Sequence, residues 1–222
     1  MNFPRWTHFG LAAIISTGST AMIAGAADEK PKSAAATEKP DQADKKAEKK
    51  AEETVKAEET VEVKIGELDL KLPKSWKQSD ATRPMRLATF EVPVAEGDKE
   101  KSEFVVSSFA GGGGGIDANI SRWVGQFAAE SREAVVVQGQ AGENDYFIAN
   151  ISGTYMKSAG PAFGGKTTPT PGQRVINVFL NLEGKAVYFL KLTGPDAAVA
   201  AQLDAVRASF GGKLEGEKEY EF

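Results

Sequence analysis

Arg174-Val175-Ile176-Asn177-Val178-Phe179-Leu180-Asn181-Leu182, then Glu183-Gly184-Lys185, then Ala186-Val187-Tyr188-Phe189-Leu190-Lys191-Leu192-Thr193, is the stretch on which the fold reading turns. Two apolar-rich runs of strand length stand either side of a tight, glycine-containing turn, the signature of an antiparallel hairpin. Upstream, Ala134 to Gly139 and Tyr146 to Met156 read as two more strands. In the second of these, Phe147, Ala149, Ile151, Gly153 and Tyr155 share one face. The other face carries Asn150, Ser152 and Thr154 after Ile148, so part of it is expected to be wet.

Further toward the N-terminus, Met85 to Val94 and Phe104 to Ala110 form a strand pair around the charged loop 95–102. Val61 to Ile65 and Leu68 to Leu72 form a short hairpin around Gly66-Glu67, which Pro73 ends. Two segments have helical spacing instead. Ile116, Ile120, Trp123 and Phe127 fall at i, i+4, i+7 and i+11 behind the run Gly111 to Gly115, with Asp117 as the expected N-cap. Val199, Leu203, Val206 and Phe210 repeat that spacing between Pro195 and Gly211-Gly212, a well-punctuated closing helix. Hairpins, helix, hairpins, helix is the order of an α+β domain, a largely antiparallel sheet with helices packed on it.

With these elements placed, the domain resembles the Mog1/PsbP-like group. The resemblance is carried by Leu72-Pro73-x-x-Trp76, by Lys191-x-Thr193-Gly194-Pro195, and by a last helix ending Ala208-Ser209-Phe210. It covers roughly Leu68 to Gly212 and implies an α/β/α sandwich and a non-enzymatic binding role, without placing any functional residue. Met85-Arg86-x-Ala88-x-Phe90, the glycine run and Asn119-Ile120-x-Arg122-Trp123-x-x-Gln126-Phe127 resemble uncharacterised exported bacterial proteins of planctomycete type, a likeness that brings no activity with it.

The N-terminus adds location. Residues 1–26 have a basic start, an uncharged middle and an Ala24-Gly25-Ala26 exit, the three parts of a secretory signal peptide cut after Ala26. Ser16 to Thr20 interrupt the apolar stretch, which argues against a retained span, so no stable membrane span is expected after cleavage. Residues 27–62 are nearly all Ala, Glu, Lys, Asp, Thr and Pro, with 8 Lys against 11 acids, and read as a disordered linker. A globular domain is expected over 63–212 and a tail over 213–222. The expected location is periplasmic or extracellular.

Composition closes off whole classes of chemistry. The chain has no cysteine, and its one histidine is His8, inside the signal. The mature chain therefore lacks thiolate nucleophiles, disulfides, imidazole bases and the usual zinc or copper ligands. No metal site and no cofactor is expected. Removing Arg5 with the signal leaves 26 basic against 31 acidic residues, or −5, which argues against nucleic acid as a partner.

Four residues are the binding candidates. Asn119, Arg122 and Gln126 lie at i, i+3 and i+7 as a polar stripe beside Trp123, and Phe163 is displayed in the long segment Lys157 to Gly172, read equally as functional or disordered. The glycine run before a helix start has the form of an anion-holding loop but lacks the Lys-Ser or Lys-Thr of a P-loop. The expected function is a non-enzymatic exported domain that binds a protein or a cell-envelope component. The alternative is a hydrolase or transferase using carboxylate, Ser or Lys chemistry.

Overall fold

The computed structural model of the chain describes residues 58–80, 83–94, 100–109, 113–159 and 166–222. The expected signal peptide, most of the expected linker, Gly111, Gly112 and Phe163 lie outside the described residues.

Strands β1 (Thr60–Ile65) and β2 (Leu68–Pro73) form a separate antiparallel hairpin. The main sheet comprises β3 (Lys77–Gln78), β4 (Ala88–Val92), β5 (Ser102–Ser108), β6 (Glu133–Ala141), β7 (Asn144–Ala159), β8 (Lys166–Asn181), β9 (Val187–Pro195) and β10 (Lys218–Glu219). Its eight strands run in the order β10-β6-β7-β8-β9-β5-β4-β3, and each pairing is antiparallel. Among the described residues three helices accompany it: α1 (Ile116–Val124), α2 (Asp196–Ala200) and α3 (Leu203–Ser209).

This corrects the expected α+β layered domain and, with it, the Mog1/PsbP-like α/β/α sandwich. Periodicity identified apolar faces but said nothing of helix length. Helix α1 stops after nine residues, and the closing segment breaks at Ala201-Gln202 into helices of five and seven. At ~1.5 Å per residue, nine residues span about 14 Å, the width of about three strands. Helices this short cannot layer an eight-stranded sheet, and much of one face is covered by strands instead.

On that face, Leu68, Leu70, Leu72 and Trp76 of the hairpin and the turn after it pack with Phe90, Phe104, Ile148, Ile176, Val178, Leu190 and Leu192 of the sheet. Val199 and Val206 from α2 and α3 complete this larger core. The opposite face carries the smaller one, where Ile120, Trp123 and Val124 of α1 and Phe127 cover Val136, Ala149, Ile151 and Val175.

Several local expectations change. Glu58 and Glu59, read as linker, tie to the turn after β2: Ser75 N–H donates to Glu58 Oε1 (3.0 Å) and Lys74 N–H to the Glu59 carbonyl (2.8 Å). Ser152, expected to be wet, is buried, and Asn150 accepts a hydrogen bond from Arg174. Lys157 to Gly172 is largely β7 and β8 prolonged into a hairpin.

The last ten residues do more than trail. Tyr220 N–H donates to the Val136 carbonyl, and Arg207 Nε and Nη2 hold Glu217 at 2.7 and 3.2 Å with both side chains buried. Tyr146 is fully buried beneath this strap, its hydroxyl 3.0 Å from Glu217 Oε1 and 3.2 Å from the Lys213 carbonyl. Burial, then the Glu217 hydrogen bond and charge, pushes its hydroxyl up to about 12 from 10.0.

One irregularity in β7 positions everything discussed below. The register with β8 slips between Gly153 and Tyr155, and Gly153 takes φ 135°, open essentially to glycine alone. A Cβ there would lie 2.5 Å from the Ser131 carbonyl oxygen. Beyond the bulge β7 pairs on its other edge with the chain leaving α1: Ala128 N–H donates to the Thr154 carbonyl (3.0 Å) and Met156 N–H to the Gln126 carbonyl (2.8 Å).

Gly153→Ala is expected to destabilise the fold by about 2–4 kcal/mol in urea unfolding, from forbidden φ plus overlap with backbone that cannot move aside. Tyr146 yields a pH signature. Because its folded pKa lies above the unfolded value, the folded form holds a proton the unfolded form has lost between pH 10 and about 12, so stability falls across that window. Alkaline unfolding of Tyr146→Phe should show a flatter slope there.

Candidate functional site

Helix α1 leaves part of its face of the sheet uncovered, and a groove of about 860 Å³ lies there. Its bed is made by residues that alternate out of the sheet on that side: Val105 and Ser107 of β5, Asn177 of β8, and Phe189, Lys191 and Thr193 of β9. Arg122, Trp123 and Gln126 form one wall, with Tyr155 beside them, and the turn Arg83-Pro84-Met85-Arg86 forms the other.

Asn119 explains how the helical wall is held. Its side chain is completely buried, and Nδ2 donates to the carbonyls of Gly113 (3.2 Å), Gly114 (3.4 Å) and Gly115 (2.9 Å). Its Oδ1 accepts from Arg122 Nη2, which fixes the guanidinium at the groove edge. The described part of the glycine loop thus turns carbonyls toward Asn119, a geometry that does not serve an anion. Gly115, not Asp117, is the N-cap, and Asp117 instead accepts a 2.6 Å hydrogen bond from Tyr220.

Gln126 and Tyr155 come together through the short pairing after α1. Tyr155 Oη donates to Gln126 Oε1 at 3.4 Å, and Lys191 Nζ donates to Tyr155 Oη at 3.0 Å and reaches Gln126 Oε1 at 3.5 Å. The Lys191 ammonium also lies 5.2 Å from the centre of the Tyr155 ring, within cation–π range. Asn177 is its cross-strand neighbour in the β8–β9 register. Only 3% of Asn177 is exposed, and its Nδ2 has no hydrogen-bond partner among the described residues.

Charge is concentrated here. Arg83, Arg86, Lys101, Arg122, Lys157 and Lys191 line the groove against Glu100 and Glu103, an excess of four positive charges on a chain whose net charge is −4. Arg86 is paired with Glu103 at 2.8 Å and Lys101 with Glu91 at 3.1 Å. Glu100 accepts from Gln173 Nε2 at 2.8 Å. Among the described residues, Arg83, Arg122, Lys157 and Lys191 have no carboxylate partner. Beside them Met85 is 70% exposed and holds φ 62°, the one described non-glycine residue with positive φ.

Of the residues predicted from sequence, Arg122 and Gln126 line the groove and Asn119 braces it from below, while Phe163 lies outside the described residues. Sequence reasoning missed Asn177, Lys191, Tyr155 and the Arg83–Arg86 turn. A usable signal existed for two of them: Asn177 interrupts the face of Val175 and Phe179, and Lys191 the face of Phe189.

Among the described residues no group of three or more His, Cys, Asp or Glu is placed to hold a metal ion, and no helix is long and apolar enough to cross a membrane. No family model matches the sequence, and no curated protein matches it. Among solved structures the chain is similar to a protein of unknown function from Pseudomonas aeruginosa, with 17% identity over 67% of this chain and 91% of that one, at a TM-score of 0.36. A likeness that distant carries no functional argument.

Asn177→Val is expected to raise unfolding stability by about 1–2 kcal/mol, because it removes a buried amide nitrogen that has no partner and keeps a residue suited to a strand. Thermal or urea unfolding of the variant checks this. A loss of stability would mean that the amide is satisfied within the fold.

Proposed function

We propose that this chain is an exported, non-catalytic binding domain that takes a protein or a cell-envelope component in the groove beside α1. The observation that carries the reading is the set of four cations without carboxylate partners among the described residues, around one concavity of a net acidic chain. A fold gains little by gathering like charges on one surface, since they repel one another. Their collection is accounted for by a partner that brings the opposite charge. Export rests on the signal-like N-terminus, and the absence of imidazole and thiol from the mature sequence supports a binding role over a catalytic one.

One contact favours the second reading, a hydrolase or transferase. Lys191 and Tyr155 at 3.0 Å are a cation and a phenol that could share proton-transfer work. No carboxylate completes that pair among the described residues, and Arg83, Arg122 and Lys157, three of the four cations without a described carboxylate partner, lie outside it, which is why binding is preferred.

The test compares capture by the full-length mature protein with capture by two variants, Arg122→Ala/Lys157→Ala and Ser107→Trp. Ser107 is half-buried on the groove bed, so an indole there would fill the space without touching the core face. Partners drawn from the native envelope fraction should be lost from Ser107→Trp and released by salt from the wild type. Equal capture by all three proteins would place binding elsewhere.

A further inference from the structure

The polar bed of the groove has a definite deficit. Across the sheet on the α1 side, the registered row reads Val136, Ala149, Asn177, Lys191, Val105, Thr89. Asn177 and Lys191 are adjacent in it, flanked by Ala149 and Val105. Each brings hydrogen-bond donors that the fold leaves over. Among the described residues Asn177 Nδ2 is buried without a partner, and Lys191 Nζ has three N–H groups against two neutral oxygens within reach. A buried donor left unsatisfied is costly, so the pair lacks an acceptor, and an ammonium favours an anionic one.

The surroundings say what carries that anion. Val105, Trp123, Phe109 and Met85 supply apolar surface along the same groove, with Phe109 37% and Met85 70% exposed. Met85 is presented from a turn in which Arg86 N–H donates to the Arg83 carbonyl at 3.2 Å, and its left-handed backbone carries strain that glycine would avoid. A uniformly hydrated polyanion would leave this apolar surface uncovered. An extended peptide alternates its side chains every residue, so it sets acidic and apolar groups in register with such a wall.

We infer that the groove takes an acidic peptide segment of a partner protein with interspersed apolar side chains, and that one of its carboxylates sits between Lys191 Nζ and the Asn177 amide. This rests on the groove being the binding site. The rim cations Arg83, Arg122 and Lys157 receive further acidic side chains of the same segment, and Phe109 and Met85 cover its apolar ones.

Fluorescence anisotropy with the full mature chain tests it, using a short labelled peptide of alternating Glu and Leu and its Gln-Leu counterpart. The Glu peptide should bind at least about tenfold more tightly than the Gln peptide. It should lose about tenfold or more in Lys191→Met, recover in part in Lys191→Arg, and weaken as salt is raised. Asn177→Asp guards against a folding artefact: it supplies the carboxylate from within, next to Lys191, so binding should vanish while the melting temperature holds or rises.

If Glu and Gln peptides bind equally and Ser107→Trp removes both, the groove stands and the carboxylate seat is wrong. If Ser107→Trp leaves peptide binding untouched, the groove reading itself has failed. Absence of saturable Glu-peptide binding, or preference for polygalacturonate over the peptide, overturns the peptide assignment.

Discussion

The geometry of the molecule follows from a mismatch of widths. A nine-residue helix lies against a sheet of eight strands, and the chain leaving that helix is drawn at once into pairing with the far end of β7. Gly153 makes the second step feasible, because only a residue without Cβ lets the Ser131 carbonyl approach so closely. Helix α1 is therefore pinned over β7 and β8, and the same face of β9 and β5 has no helix on it. The groove is that remainder, and Gln126 meets Tyr155 and Lys191 because the pairing after α1 places them side by side.

Stability and the proposed function draw on different parts of this arrangement. The face covered by the β1–β2 hairpin and by α2 and α3 holds the larger apolar core, with Phe104, Leu190, Leu192 and Ile176 almost inaccessible. Its burial supplies the main favourable contribution to folding. Among the described residues the α1 face carries the compromises: an amide at Asn177 and cations at the rim without partners, and a left-handed Met85. Local violations of packing and satisfaction rules gathered in one concavity are the usual mark of a surface kept for a ligand.

Much of the sheet was legible in the sequence because strand signals are local. Gly66-Glu67 and Glu183-Gly184-Lys185 mark hairpin turns, and the apolar runs on either side of them form the paired strands. What failed was the inference from apolar spacing to helical coverage. Val199, Leu203, Val206 and Phe210 share a spacing, yet Ala201-Gln202 interrupts the helix between them, and periodicity does not register such a break. Length 213–222 was equally opaque, since Glu217 gains its meaning only from Arg207, ten residues away and buried against it. The site was half legible. Arg122 and Gln126 lie on one helical stripe, but Asn177 and Lys191 become neighbours through register, which no single strand records.

If the Asn177 amide and the Lys191 ammonium receive a carboxylate as proposed, nuclear magnetic resonance of the Asn177 side-chain amide will report that contact itself. On titration with a Glu-containing peptide, the Asn177 N–H resonances should move downfield and become protected from exchange, together with Lys191 Nζ. Movement confined to the β6–β10 edge, with the Asn177 amide unchanged at saturation, would contradict it.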